Sequence, residues 1–407
     1  MSSSHFLYVL IKIGKVTEVK LMGNYNRNHY VPKWYQYRFF PIGTKENNFY
    51  YLDLQPNSRC SNGYKYKDKT LRFLGPDKCF FQENLYTTKF GSWKSTEIEE
   101  KFFGKIDSYG KEAIEYLSTF NHKNINSNLL RDLLKFMSAQ KLRTPKGLKF
   151  LSKDVKLEDK NEVLFKMQEL QEIFCAIWSE CVWSIVDASQ SQTKFILSDH
   201  PVTVYNQDCF PLSNWCVGHN DPDIRYNGTY TIFPLSLDKL LIFTNLSWLR
   251  NPHAKSCKMR PNSNLFRDTI FNVQDIQVDR ILDDSEVNQI NYILKRRAYK
   301  YIAAPMKEWL FPEEKIGKPK WDQLGKDYLL MPDPRLVTFS SEIIIGYNDR
   351  RADIFDEYGR KPGQLNYNNR NQSEQEFDTF NKFKVEFTKK FGPKSRGRTG
   401  RYHLLCR

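Results

Sequence analysis

Helical periodicity in the first three quarters of this chain is gathered into a central block and one later helix, with β-rich runs on both sides of that block. This order constrains the fold more than any single motif. The opening runs Asn48–Leu54, Thr70–Leu74 and Cys79–Leu85 are separated by Pro, Gly and Asn and are expected to be strands. The central block begins at Thr96-Glu97-Ile98-Glu99, which fits a capping box. Ile98, Phe102, Phe103 and Ile106 then fall on one helical face. A second helix is expected over Asn128–Leu142, with Leu130, Leu133, Leu134 and Met137 inward, stopped by Thr144-Pro145. A third covers Asn161–Cys181 and carries Leu164, Phe165, Gln168, Ile173, Ile177 and Trp178. Strands return at Val182–Val186, Lys194–Leu197, Val202–Tyr205, Thr229–Phe233 and Lys239–Phe243. Asp283-Asp284-Ser285 starts a last long helix, expected to run through Ala303 and end at Pro305. Strands, helices, strands, helix is not the alternation of a parallel α/β fold. It predicts an α+β protein, a largely antiparallel sheet packed with a central group of helices, plus a basic C-terminal extension.

At 407 residues the chain exceeds the ~100–200 residues usual for one domain. Residues 1–23 are expected to form a β-hairpin, Phe6–Ile13 and Val16–Leu21 flanking Gly14-Lys15. Residues 24–304 form the main domain and 305–393 an extension with a strand candidate at Leu336–Tyr347. Gly359–Ser373, polar and rich in Asn and Gly, reads as a linker or long loop. Residues 394–407 space Lys and Arg with Gly, Ser and Thr, a composition that cannot bury enough apolar surface to order itself.

The net charge of +15 sits at the ends. Residues 379–407 hold nine Lys/Arg against one Glu, and residues 1–100 fifteen against nine acids. The middle is nearly neutral, a distribution that suits a polyanion partner such as RNA or DNA and equally a solubilising surface. Eight cysteines are scattered without Cys-x-x-Cys spacing. Reduced thiols in a cytoplasmic protein are expected, with no disulfides and no structural zinc. The run Phe6–Ile11, stopped by Lys12 and lacking a basic leader, is not expected to be a signal peptide, and no stretch is long and apolar enough to span a membrane.

Asn28-His29-Tyr30-Val31-Pro32, followed by Lys33-Trp34-Tyr35-Gln36-Tyr37-Arg38-Phe39-Phe40, packs one imidazole, a stiff X-Pro joint, two cations and many rings into thirteen residues. Four further patches follow in order: Gln140-Lys141-Leu142-Arg143-Thr144-Pro145, Ser198-Asp199-His200-Pro201-Val202, Phe233-Pro234-Leu235-Ser236 and Ala298-Tyr299-Lys300-Tyr301-Ile302. Together they resemble the bacterial domain-of-unknown-function family 4238 over roughly residues 24–304. The resemblance implies a domain boundary and positions to watch, but no reaction. It also implies that Asn often stands where this chain has His200, which weighs against a catalytic imidazole there.

His29 suits a general acid/base or a metal ligand, and suits equally a hydrogen-bonding knot at the start of the domain. Asp199 and His200 sit between two expected strands, where side chains are held rigidly yet reachable. Adjacent residues of an extended chain point to opposite faces, so Ser198-Asp199-His200 is not a triad. The bland alternative for Asp199 is a turn cap. Gln140 and Arg143 share a helical face, and Arg143 suits either an anionic transition state or the carbonyls of a helix end. Glu97, Glu99 and Glu100 are ordinary first-turn acids. No phosphate loop, dinucleotide fingerprint, zinc-protease helix or nucleophile elbow is present. The chain is therefore expected to bind or cleave nucleic acid without metal or cofactor. The expected catalytic residues are His29, Arg143 and Asp199, the expected substrate-binding residues Asn28, Tyr30, Lys33, Gln140 and His200, and the expected binding tail Lys394, Arg396, Arg398 and Arg401. The alternative is a non-enzymatic interaction protein whose motifs are structural.

Overall fold

A computed structural model describes residues 27–393, apart from 45–46, 62–63, 84, 86–87, 91–92, 96–102, 152–159, 218–219, 262–270, 341 and 347. The expected N-terminal hairpin, the capping box at Thr96 with Glu97, Glu99 and Glu100, and the basic tail lie outside the described residues.

The chain first lays down β1 (Arg27–His29), α1 (Lys33–Tyr37), β2 (Phe49–Asp53), β3 (Leu71–Leu74) and β4 (Phe81–Glu83). Four helices follow: α2 (Gly104–Ser118), α3 (Ser127–Leu142), α4 (Pro145–Leu151) and α5 (Lys160–Ser179). Next come β5 (Cys181–Asp187), β6 (Leu197–Ser198), β7 (Thr203–Tyr205), β8 (Tyr230–Pro234) and β9 (Lys239–Asn245). The sequence α6 (Leu246–Arg250), β10 (Gln277–Ile281), α7 (Asp284–Arg297) and β11 (Tyr301–Ala304) leads to α8 (Pro312–Ile316) and α9 (Arg370–Phe391). The α+β class and the mostly antiparallel pairing follow the sequence expectation.

The larger sheet has the order β7-β8-β9-β5-β10, antiparallel except that β10 runs parallel to β5. Its central strands are apolar on both faces, as a sheet covered on two sides must be. In β5, Trp183 and Ile185 face one core while Val182 and Val186 face the other; in β9, Leu241 and Phe243 oppose Leu240 and Ile242. The first core is filled by α1–α3 and α5, and the second by α7 and α9. A four-stranded sheet, β6-β11-β2-β3, is antiparallel throughout.

Several boundaries differ from expectation, each for a visible reason. The last long helix stops at Arg297 rather than running to Ala303, because Tyr301–Ala304 pairs with Tyr50–Asp53 as a strand. The expected strand Lys194–Leu197 shrinks to Leu197–Ser198: the Phe195 N–H donates to the Leu237 carbonyl and the Ile196 N–H to Asn291 Oδ1, so neither joins the ladder. Gln168 is exposed, and its neighbour Met167 turns inward on α5. Among the described residues of the expected strand Leu336–Tyr347, Ile343–Gly346 pairs, with Ala352–Phe355. The polar stretch Gly359–Ser373 runs into the unforeseen helix α9, whose N-terminus is capped by Asn369 accepting the Gln372 N–H. Phe380, Phe383 and Phe387 of α9 are buried in the second core.

Candidate functional site

The family-like patches fasten to one another. Gln140 Nε2 donates to the Tyr30 carbonyl at 2.8 Å, and Arg143 closes on Gln140 Oε1 with Nε at 2.8 Å and with Nη2. Arg143 Nη1 reaches Asp107 at 2.7 Å. Burial raises the Asp107 carboxyl, and Arg143 opposes that rise. Tyr35 lies flat on Phe233, ring centroids 5.6 Å apart, and its hydroxyl donates to the Pro234 carbonyl. Arg38 Nε donates to the Leu235 carbonyl at 2.8 Å.

Asp199 caps the turn that enters β11. Its Oδ1 accepts the Tyr299 N–H at 2.8 Å, and its Oδ2 accepts those of Lys300 and Tyr301 at 2.6 and 2.8 Å. Burial pushes its carboxyl up to about 6 despite the three donors. His29 pairs with Phe81 across β1 and β4, their rings 5.8 Å apart. Its imidazole is half-buried, and burial and then the Lys33 ammonium lower its pKa. Asn28 is fully buried opposite Gln82, and Lys33 is a surface partner of Asp77 at 2.9 Å.

A cleft of about 340 Å³ opens between the α3–α4 junction, α5 and residues 221–225. That volume lies within the range of small-ligand pockets. Leu142, Phe150, Ile173, Phe174 and Ile224 supply apolar wall, the pairs Lys166–Glu169 and Arg225–Asp223 also line it, and Lys141, Lys146, His200 and Asp221 form a separate buried polar cluster. Among the described sequence-predicted residues, only His200 lines it; His29, Arg143, Asp199, Asn28, Tyr30, Lys33 and Gln140 do not.

The cluster is built by a tight corner. Thr144 Oγ1 accepts the Gly147 N–H at 3.1 Å and so starts α4 immediately after α3 ends. A Cβ at position 147 would stand 2.3 Å from the Lys141 carbonyl oxygen, so only glycine lets α4 turn back this closely. Lys141 and Lys146 thereby converge on one carboxylate. Asp221 Oδ1 accepts from Lys146 Nζ, and Oδ2 accepts from Lys141 Nζ at 3.1 Å. Lys146 Nζ also donates to the Arg297 carbonyl at 2.7 Å. His200 completes the set, its Nε2 3.3 Å from Asp221 Oδ2 and its Nδ1 2.8 Å from Thr144 Oγ1. An Nε2–H tautomer satisfies both contacts, donating to Asp221 and accepting from Thr144.

Burial lowers Lys146 to about 8 against the pull of Asp221. Burial and then Lys141 lower His200 to about 3, so its imidazole is neutral. Burial alone would raise Asp221, but Lys141, Lys146 and His200 together hold it well below the carboxylate range. Two ammonium groups, one carboxylate and a neutral ring leave this cluster with one net positive charge.

Sequence reasoning missed Lys141, Lys146 and Asp221. Lys141 had a usable signal: it lies four residues after Met137 and seven after Leu134, on the apolar face of its helix, where a lysine is out of place. Asp221, in an Asn-Asp-Pro loop, had none. Among the described residues no group of three His, Cys, Asp or Glu side chains could hold a metal ion, and no helix is long and apolar enough to cross a membrane.

No curated protein and no solved structure matches this chain. A family model described as "Protein of unknown function (DUF4238)" matches residues 27–174 and 148–308, covering every patch that fastens the two sheets and helices together. The chain belongs to the DUF4238 family.

Proposed function

We propose that the cleft takes a small ligand with an apolar or aromatic body and an anionic head. The head docks on the Lys141–Lys146–His200–Asp221 cluster, and Lys146 exchanges a proton with it. The observation that carries this reading is the unbalanced charge: two lysines share one carboxylate in a buried cluster, whereas the other charged lining residues pair one to one, Lys166 with Glu169 and Arg225 with Asp223, and an incoming anion would neutralise the surplus. Lys146, drawn down to about 8, is placed to donate or accept a proton near neutral pH. The test is a thermal-shift panel of phenylacetate, octanoate and adenosine monophosphate against the full chain and Lys146→Met. An amphipathic anion that raises the melting temperature of the parent but not of the variant supports the reading. No stabilisation by any of the three, or equal stabilisation of both proteins, removes it.

A second reading, nucleic-acid binding or cleavage, is favoured by the charge of +15 and by Lys394, Arg396, Arg398 and Arg401 at the C-terminal end. Such a segment adds counterion-release affinity without reading sequence. None of His29, Arg143 and Asp199, the residues expected to cleave, lines the cleft of Lys141 and Lys146. Incubating labelled single- and double-stranded RNA and DNA with the full chain and with a chain lacking residues 394–407 tests this reading. Weaker binding with a flatter salt dependence for every sequence supports it. Unchanged affinity and salt slope would leave an interaction protein with a solubilising end.

A further inference from the structure

Six cysteines are described as free thiols, and two of them face each other: Cys209 Sγ and Cys257 Sγ are 3.4 Å apart. They belong to separate loops, one following β7 and the other following α6. A polar network holds those loops together around the sulfurs. The single hydroxyl hydrogen of Ser256 has two acceptors to choose from, Asn206 Oδ1 at 2.7 Å and Asp208 Oδ2 at 2.5 Å, and Asn206 Nδ2 donates back to the Ser256 carbonyl at 3.2 Å. Gly228 fixes the same corner from behind. Its N–H donates to the Ser256 carbonyl at 2.8 Å, and a Cβ there would stand 2.5 Å from that of Ser256. The thiols are thus presented to each other by a braced platform, which removes most of the entropic cost of bringing them together.

We propose that Cys209 and Cys257 form a dithiol site that small disulfides oxidise reversibly to an intramolecular disulfide. The two sulfurs differ in access: Cys257 is half-buried, whereas Cys209 is fully buried. Cys257, as thiolate, attacks one sulfur of a low-molecular-weight disulfide such as oxidised glutathione and expels one glutathione thiolate. That thiolate takes the Cys209 proton, and the Cys209 sulfur displaces the second glutathione from Cys257. A proton from solvent restores the proton that Cys257 gave up, so the second glutathione also leaves as a thiol. Two protein thiols lose two electrons, and one small disulfide becomes two thiols. Burial raises the Cys209 thiol, which suits it to the resolving step rather than the first attack.

The bond would also bear on the cleft. Arg297 donates to the Cys209 carbonyl, to Cys216 Sγ at 3.4 Å and to the Asn220 carbonyl, and Asn220 precedes the cluster residue Asp221. Closing 3.4 Å to the ~2.05 Å of a disulfide moves the strap that positions Asp221.

The test uses the full chain with excess oxidised glutathione, followed by acid quench, alkylation, digestion without reductant and mass spectrometry. The expected result is a Cys209–Cys257 cross-linked peptide, two hydrogens lighter than its reduced parts, in most molecules and reversed by dithiothreitol. Cys257→Ser should lose the cross-link and leave Cys209 unmodified. Recovery of Cys209 and Cys257 singly alkylated, stable glutathione adducts without a cross-link, or a bond from either to Cys216 instead would overturn the proposal. Because the parent protein alone gives the decisive readout, a poorly folding variant does not obscure it.

Discussion

Lys146 and Asp221 form an ion pair in the wall of the cleft, with the lysine side chain only 3% exposed and the aspartate 15%. Lys141 shares the same carboxylate at 3.1 Å. Removing the carboxylate strands two ammonium groups in a poorly solvated place. Asp221→Asn should therefore destabilise the protein by ~3–5 kcal/mol, the cost of breaking a buried pair from one side. Adding Lys146→Met to it should recover part of that loss. Urea unfolding of the two single variants and the double variant checks both statements, and additive losses would mean that the pair is not coupled.

His200 is kept neutral by burial and by Lys141, with a pKa of about 3 against 6.5 for a free imidazole. Between those values the unfolded chain takes up a proton that the folded chain refuses. Stability due to this residue is therefore present above about pH 6.5 and falls as pH falls toward 3. His200→Asn removes that dependence while an amide can keep the bond to Thr144. The variant should be less stable than the parent at pH 7.5, and the gap should narrow steadily toward pH 4. Asp199 titrates in the same region with the opposite sign but is present in both proteins, so it cancels from the difference. A gap that stays constant across the series would show that the folded imidazole accepts its proton freely.

Much of the fold was legible because apolar period and turn chemistry act locally. The strands at 181–187 and 239–245 and the helix over 127–142 are set by runs whose burial follows directly from their own spacing. Where reading failed, a distant partner overrode the local signal. Residues 298–304 continue a helical pattern, yet Asp199, about a hundred positions earlier, captures three of their N–H groups and turns them into a strand. Helix α9 spaces its buried phenylalanines among charged residues in a polar context, so its inward stripe stands out only once the second core exists to receive it. The cleft was the least legible part. Its carboxylate comes from a loop that no local rule marks, and the patches that looked chemical, around His29, Arg143 and Asp199, lie where chain segments are tied together.

Asp199→Asn tests that tying role. The amide offers one acceptor oxygen where the carboxylate offers two, so one of the N–H groups of Tyr299, Lys300 and Tyr301 must face an NH₂ instead. A loss of ~1–3 kcal/mol is expected from a buried donor left unsatisfied. Native-state hydrogen exchange should show faster exchange at residues 299–301, with amides of the helix α3 little changed. Protection at 299–301 equal to that of the parent would sink the capping assignment.

Arg143→Lys keeps the charge but loses the fork. The guanidinium meets Gln140 Oε1 through two nitrogens and Asp107 through a third, and a single ammonium cannot span both. Asp107, already raised by burial, would lose its best partner. The variant should lose ~1–3 kcal/mol in denaturant unfolding. If Arg143 serves only to position α2 against α3, ligand binding in the cleft should survive in the folded variant. Loss of binding with unchanged stability would instead move Arg143 into the functional site.

Helix α9 supplies the last prediction, because it decides whether the segment after β11 is an appendage or part of the core. Phe380 and Phe387 are fully buried and Phe383 nearly so, all within the core that backs the larger sheet. Burying a phenylalanine contributes ~1.5–3 kcal/mol relative to leaving it exposed, so three together approach the ~5–15 kcal/mol that holds a whole domain folded. Arg250 adds to the dependence: it is 1% exposed and pairs with Glu376 of α9 at 3.0 Å and with Glu357, so removing the helix leaves a buried guanidinium short of one partner. A chain ended at Asn369 should therefore fail to fold cooperatively and should bind a hydrophobic dye, whereas one ended at Pro393 should melt like the parent. A cooperative, parent-like transition in the shorter chain would show that the chain up to Asn369 carries a self-sufficient core without α9.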